Sequence, residues 1–199
     1  VNKVLQTISG ECFKNYEIKS VQRNQNNVRI FYGFRNQYFD YDKVVFAAHA
    51  NDTLKLLQDP TDVEKNILGS FKYKLNTAYL HKDTKLMPNQ KNAWSSWNSI
   101  VDNKNVNKNC VTYWLNKLQN LNTKNNYFLT LNPIFQIDEN KIIKKIEFSH
   151  PFYDLQSINA QKQLNELQGV KNSWFCGSYF GYGFHEDGIK SAVNIANQI

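Results

Sequence analysis

The 199-residue chain is poor in glycine, with 8, and carries only 3 cysteines and 1 methionine. It contains no GxGxxG run and no GK[ST], so neither a dinucleotide fingerprint nor a P-loop is encoded in it. Cys12, Cys110 and Cys176 stand far apart, form no CxxC, and leave one thiol over under any pairing. That usage excludes a disulfide framework and implies a reducing, cytoplasmic setting. No apolar run reaches the roughly 18 residues of a membrane helix, and no secretory leader is visible. A starting methionine is missing too: the chain opens on Val1, and its methionine is Met87. Residue 1 is therefore expected to be a cut or processed end, with any targeting segment upstream.

Hydrophobic residues make up 41% of the chain and aromatics 14%, enough to bury a core. The net charge is +7, from 24 Lys and Arg against 17 Asp and Glu. Such a balance favours anionic partners: nucleic acid, a membrane surface or an anionic cofactor. The lysines are scattered, however, with brief clusters such as Lys141, Lys144 and Lys145, and acids lie among them. This reads as a solvated surface and not as a nucleic-acid groove.

Val4, Leu5 and Ile8 fit one face of a helix stopped by Gly10. Glu17–Arg23 and Val28–Phe34 read as strands joined by the polar turn at 24–27, and Gln37–Asp40 continues the meander. The run Tyr41–Ala48 predicts a strand buried on both faces, as in a parallel sheet. Asn51 and Asp52 are candidate N-caps for a helix carrying Leu54, Leu56 and Leu57. Asp59-Pro60-Thr61 starts another, with Thr61-x-x-Glu64 as a capping box and Gly69 as its end. Tyr73–His81, Asn92–Ile100, Cys110–Leu118, Tyr127–Leu131 and Ile142–His150 are rich in aromatic and β-branched residues and predict an antiparallel sheet. Within it, Cys110–Leu121 also fits a helical face, and the break Asp102–Asn109 reads as a surface loop. Leu155, Ile158, Leu164 and Leu167 form a helical stripe stopped at Gly169. A short strand, Ser173–Cys176, then enters the glycine-rich turn 177–183. A last helix follows, with Ile189, Ala192, Val193, Ala196 and Ile199 on one face.

The expected fold class is α/β plus antiparallel β, one domain interrupted by another. Residues 1–68 and 152–199 would form the first domain, and 69–151 the inserted one. The chemistry concentrates in strand, glycine turn and helix at the C-terminal end. Glycines there let backbone approach a ligand, and the helix start offers free N–H groups and a positive dipole end.

The run Trp174–Tyr179 and Gly183-Phe184-His185-Glu186-Asp187-Gly188 resembles the closing flavin motif of amine-oxidase-type flavoproteins. It is most similar to bacterial FAD-binding oxidoreductases ending in GYGFHEDG. Phe39–Ala50, Leu80-His81-Lys82-Asp83 with Leu86-Met87-Pro88, Ala93–Asn98, and Thr112–Asn116 with Leu118-Gln119 resemble the same group in the same order. The resemblance implies a two-domain FAD-dependent oxidoreductase: part of a Rossmann-like FAD-binding domain, with an amine-oxidase-type substrate domain inserted. The glycine fingerprint and ribose-binding acid of the first Rossmann unit have no counterpart here. A missing N-terminal half is thus an expected partner, and FAD belongs to the complete protein.

Residue by residue, the resemblance places Ile18 beside the adenine and Ala47 and Ala48 along the dinucleotide. It sets Gly177 and Ser178 at the pyrophosphate or ribityl chain, although many relatives carry an acid at Ser178. Gly183 allows close approach, Phe184 lies near the isoalloxazine, and backbone N–H groups of His185 and Glu186 meet the flavin pyrimidine edge. The activity implied is oxidation of a small-molecule or lipid-like substrate by hydride transfer, with no catalytic residue assigned. His81 with Asp83 could be an acid–base pair or merely solvated strand-end residues. Trp94 and Trp97 sit an odd step apart, so at most one lines a substrate wall. His185-Glu186-Asp187 diverge too much in direction to hold a metal, and none is expected. Cys176 reads as a small buried residue. The competing reading is a non-catalytic, basic, aromatic-rich module for a ligand, partner protein or single-stranded nucleic acid.

Overall fold

The computed structural model describes residues 2–34, 37–102 and 105–199. In chain order these form α1 (Asn2–Leu5), β1 (Ile18–Arg23), β2 (Val28–Tyr32), β3 (Gln37–Tyr41), β4 (Val44–Phe46), α2 (Ala50–Leu56) and α3 (Asp62–Gly69). Next come β5 (Lys72–His81), β6 (Trp97–Asp102), β7 (Asn105–Trp114), α4 (Leu115–Leu118), β8 (Phe128–Leu131) and β9 (Ile142–Phe152). The chain closes with α5 (Leu155–Gln161), β10 (Ser173–Phe175) and α6 (His185–Ala196). Two compact units result, one of Val1–Lys72 with Pro151–Ile199, the other of Tyr73–His150.

In the first unit, β1, β2 and β3 form the expected antiparallel meander, with Val21 opposite Ile30 and Ile30 opposite Phe39. The polar turn is tied by Asn24 N–H donating to the Asn27 carbonyl at 2.9 Å. Aromatic rings hold one side: Tyr32 stacks on Phe39 at 4.8 Å, and Phe13 and Tyr16 pack on the same pair. The expected N-terminal helix shrinks to α1, and Val4 and Ile8 stay exposed.

The second sheet of this unit is β4 beside β10, parallel, with Val44 opposite Ser173 and Phe46 opposite Phe175. It joins the two ends of the sequence. Phe46 and Phe175 stack at 5.3 Å on one face, while Trp174, Cys176 and Ile195 of α6 cluster on the other. Val45 shares the face of Trp174 but is 44% exposed, so β4 is not buried on both faces as its sequence suggested. The helix that follows is capped at His49, not at Asn51 or Asp52, because its first turn begins at Ala50.

The capping box of α3 forms as expected, the Glu64 N–H donating to Thr61 Oγ1 at 3.2 Å and the Thr61 N–H to Glu64 Oε2 at 2.7 Å. Pro60 precedes the cap instead of entering the first turn. The same Glu64 carboxylate receives both terminal nitrogens of Arg23, and Arg23 Nε also donates to Asp59 Oδ1 at 3.2 Å. Both Arg23 and Glu64 are buried. Lys171, just before β10, reaches Asp59 Oδ2 at 2.6 Å, so one charge network ties β1, α3 and the approach to β10.

The helical stripe after residue 154 splits into α5 and a 3-10 turn at Leu164–Leu167. Leu164 and Leu167 are buried, but Leu155 is 84% exposed at the helix start. Gly169 ends this segment at φ 77°, a left-handed stop that glycine adopts without steric cost.

The second unit is one sheet in the order β6-β7-β8-β5-β9. The pairs β6/β7, β7/β8 and β5/β8 are antiparallel. Two expectations change here. The chain turns helical at Leu115, so the strand Cys110–Leu118 ends at Trp114. The polar break 102–109 is no simple loop: β6 runs through Asp102 and β7 begins at Asn105, with 103–104 outside the described residues.

The sheet's buried face carries a polar relay. His81 Nε2 lies 2.8 Å from Thr130 Oγ1, which lies 2.8 Å from Thr112 Oγ1. The Asp83 N–H donates to His81 Nδ1 at 3.1 Å, which fixes the neutral tautomer with its proton on Nε2. The Asp83 carboxylate does not pair with the ring; it accepts from the Asp138 and Lys85 N–H groups at 3.0 and 3.2 Å. His81 and Asp83 are thus a buried structural knot.

Burial pushes the His81 imidazole pKa down, outweighing the opposing pull of the Asp83 carboxylate. A depressed folded-state pKa means the unfolded chain takes the proton first. Stability from neutral His81 is therefore present above about pH 6.5, its unfolded pKa, and declines as pH falls below it. Carboxylates such as Asp83, also held low, add their loss only near pH 4 and below. We expect the melting temperature to drop between pH 7 and 5 in the native chain and to stay nearly flat over that window in His81→Gln. An unchanged slope in the variant would remove His81 from the account.

Candidate functional site

β4 and β10 each run into a turn and then a helix: Ala47-Ala48-His49 into α2, and Cys176-Gly177-Ser178 toward α6. The strands are parallel and in register, so both turns emerge side by side at the same, carboxyl, end of the sheet. Ligands of open parallel sheets bind in that position. The two turns enclose a cleft of about 390 Å³, lined on one side by Ala47, Ala48, His49 and Asp52 and on the other by Gly177, Ser178 and Tyr179. The ladder reaches its rim, with the Cys176 N–H donating to the Phe46 carbonyl at 2.9 Å.

Gly177 is required here. Its φ is 152°, and a Cβ would meet the Tyr179 ring at 2.7 Å. The turn is pinned to α6 by Ser191: the Gly177 N–H donates to Ser191 Oγ at 3.0 Å, and that hydroxyl donates to the Gly188 carbonyl at 2.7 Å. From the other side, Gln161 Nε2 donates to the carbonyls of Tyr179 and Gly181, at 3.0 and 2.6 Å. Neither Ser191 nor Gln161 was singled out from sequence. Ser191 lies off the apolar stripe of α6, so no sequence signal marked it.

The helix start is organised by Asp187. Its Oδ2 accepts the Tyr182 and Phe184 N–H groups at 2.9 and 3.0 Å. Gly181 makes room for it, since a Cβ there would lie 2.4 Å from the carboxyl carbon. The Asp187 and Gly188 N–H groups turn back to the Phe184 carbonyl. The N–H groups of His185 and Glu186 find no acceptor among the described residues and lie at the positive end of a 12-residue helix.

The nine sequence-chosen residues thus fall in three places. Ala47, Ala48, Gly177 and Ser178 line one cleft. Gly183, Phe184, His185 and Glu186 occupy the far end of the turn and the first turn of α6, with Phe184 62% exposed. Ile18 opens β1 and is not among the cleft residues. Cys176 is buried, and burial raises its thiol pKa, which leaves it unreactive. Trp94 packs edge-on to Trp114 and Phe128 on the buried face of the large sheet, while Trp97 meets Tyr113 on the other. The expected strand Asn92–Ile100 begins only at Trp97, with Trp94 closing a 3-10 turn before it, so strand alternation does not set the two rings apart. Among the described residues no cluster of His, Cys, Asp and Glu could hold a metal, and no helix is long and apolar enough to cross a membrane.

α6 departs from expectation in one respect. Ser191 and Ile195 face inward, whereas Ile189 and Val193 are 59% and 53% exposed. The apolar stripe is real, but it points away from the described structure.

No protein-family model matches the chain, and no curated protein matches it. Solved structures do. The CLA-producing fatty acid isomerase from P. acnes matches at a TM-score of 0.70 and 12% identity, over 100% of this chain and 50% of the isomerase. A triple mutant of putrescine oxidase, made in a redesign of cofactor binding, matches at 0.66 and 9% identity, over 100% of this chain and 52% of its own. Cyclohexylamine oxidase from Brevibacterium oxydans IH-35A matches at 0.57 and 11%, over 91% and 48%. The chain therefore spans about half the length of the solved proteins it matches, and its fold is the fold of that half. The likeness to amine oxidases implied by the sequence motifs is present at the level of fold.

Proposed function

We propose that this chain is the cofactor-closing and substrate-binding part of an FAD-dependent oxidoreductase of the amine-oxidase type. The observation that carries the reading is the cleft between the two parallel strand ends, where Ala47, Ala48 and an obligatory Gly177 leave backbone exposed to a ligand. The fit to a dinucleotide is chemical: small side chains, unpaired N–H groups at His185 and Glu186, and a helix dipole suited to anions. Ser178 offers a hydroxyl to the ligand at this rim. When bound, FAD supplies the hydride acceptor. The chain's own contribution is to hold that group, with Gly183 giving close approach and Phe184 offering an aromatic face. Ile18 is proposed at the adenine end through its backbone.

In this reading Tyr73–His150 is the substrate domain, and the other unit is part of the FAD domain. The rest of the FAD domain is a βα unit that adds to β4 and covers Val45, Ile189 and Val193. These three side chains are exposed here, although strand and helix residues of their kind are usually buried.

Replacing Glu186 with proline deletes one helix-start donor without breaking an internal bond. We expect this change to weaken FAD retention or lower the flavin reduction potential in the full-length protein, whereas His185→Ala, which keeps its N–H, has little effect. Flavin content and redox titration of both variants decide the matter. Loss of flavin in His185→Ala with an unchanged Glu186→Pro would mean that side-chain chemistry, not backbone, holds the ligand.

A further inference from the structure

Two clefts adjoin in the unit Tyr73–His150, and none of their residues lines the cleft at Gly177. One, of about 350 Å³, is walled by Tyr79, Ile134, Phe135 and Ile142. The other, of about 380 Å³, carries Lys85, Asp138 and Asn140. Gln136, Ile137 and Glu139 line both. Each volume falls in the range of small-molecule sites, roughly 300–1,000 Å³.

Both walls are anchored from below. Tyr79, Ile134 and Ile142 pack on the buried cluster of Leu86, Cys110 and Ile137. On the polar side, Asp83 is 1% exposed and accepts the Lys85 N–H at 3.2 Å and the Asp138 N–H at 3.0 Å. One buried carboxylate thus ties the backbone at Lys85 to the residue before Glu139, which sets the spacing of those two side chains.

Most charges around the clefts are already engaged. Lys141 Nζ lies 3.6 Å from an oxygen of Asp83 and 3.6 Å from one of Asp138. The Asp138 carboxylate also accepts the Asn140 N–H at 3.1 Å. Lys145, on β9, lies over the Tyr79 ring at 5.9 Å and meets Glu147 at 4.0 Å. Lys85 and Glu139 differ. Both are exposed, and among the described residues neither side chain makes a hydrogen bond or ion pair. Lys85 acts on the Asp83 carboxylate only through space.

One unpaired cation and one unpaired anion beside an apolar wall match a ligand that is a zwitterion with an apolar body. A simple carboxylate would satisfy Lys85 but set its charge beside Glu139, and a simple amine would do the reverse. We propose that the adjoining clefts bind a free α-amino acid with an apolar side chain. That side chain lies against Tyr79, Ile134 and Ile142, the ammonium meets Glu139, and the carboxylate meets Lys85. The proposal stands independently of the cofactor reading and gives this chain a second ligand.

The test is calorimetric titration of the 199-residue chain with L-leucine. Isopentylamine and 4-methylpentanoate, which lack its carboxylate and its ammonium respectively, are titrated separately. Leucine is expected to saturate by about 10 mM, and each analogue to bind about fivefold more weakly, the value of one exposed ion pair. Glu139→Gln should weaken leucine about fivefold without weakening 4-methylpentanoate, and Lys85→Gln should weaken leucine about as much without weakening isopentylamine. Loss of fold cannot produce that crossed pattern, since it would weaken every ligand together. Tyr79→Ser, which opens the apolar wall, should weaken all three. Absence of saturation with leucine, or equal binding of leucine and 4-methylpentanoate in the native chain, would overturn the proposal. Leucine binding untouched by both Glu139→Gln and Lys85→Gln would overturn it as well, by placing the amino acid elsewhere on the chain.

Discussion

Glu64→Ala is expected to destabilise the first unit by about 3–5 kcal/mol, the cost of leaving one buried charge without its partner. The reasoning starts from burial. Arg23 and Glu64 are 6% and 1% exposed, and the guanidinium meets the carboxylate through both terminal nitrogens. Without Glu64, Arg23 keeps Asp59 but loses its bidentate partner, and α3 loses its capping box. The pair is not itself a large net source of stability, because taking two ions out of water offsets much of their attraction. A double variant, Arg23→Met with Glu64→Leu, should therefore recover most of the loss. Urea denaturation of the two variants separates the cases: a double variant as unstable as Glu64→Ala would mean that the network contributes more than charge neutrality. Burial alone would push the Glu64 carboxyl up, but the bonds from Arg23 and Thr61 hold it below the ordinary range. Its contribution is then complete above about pH 4.3 and fades as pH falls below that value.

How much of this could be read from the sequence depends on what each signal encodes. The meander was legible because alternation and a polar turn are local properties. The α6 stripe was legible as a stripe, yet periodicity states which residues share a face, not which face packs inward. Val45 failed for a related reason. An apolar run such as Val44-Val45-Phe46 looks the same whether both faces are covered or one is open. The lysine- and asparagine-rich stretch after Asp102 was read as loop from propensity, but its pairing with β6 overrides a weak local preference. Arg23 and Glu64 each had a local reading, strand residue and capping residue, and nothing in the sequence joined them across 41 positions. At the site, each strand–turn–helix was readable alone. Their juxtaposition came from matching two short strands at opposite ends of the chain, and the pins Ser191 and Gln161 were invisible because their partners are backbone atoms.

Two glycines at the site should respond in opposite directions to the same small change. At Gly177 an added Cβ would overlap the Tyr179 ring at 2.7 and 2.9 Å, and φ is 152°, where side chains are strained in any case. Tyr179 is 2% exposed and packs edge-on against Phe71 at 5.1 Å, so its ring has little freedom to withdraw. Gly177→Ala is expected to cost on the order of 1–3 kcal/mol through overpacking and backbone strain, and Gly177→Val more. The displaced turn would also move Ser178 against Ala48 and narrow the cleft, so FAD retention in the full-length protein should fall with stability. Gly188 lies 11 residues later, inside α6, and the nearest atom to its added Cβ is the Ser178 nitrogen at 3.7 Å, an ordinary contact. Alanine there gains helix propensity, so Gly188→Ala should be neutral or stabilising by up to about 1 kcal/mol. Thermal melts of both variants, with flavin content of the corresponding full-length proteins, form the test. Equal destabilisation at the two positions would mean that the contact between turn and α6 is tighter than 3.7 Å. A Gly177→Ala variant that melts normally and retains FAD would remove the close-approach role of that glycine.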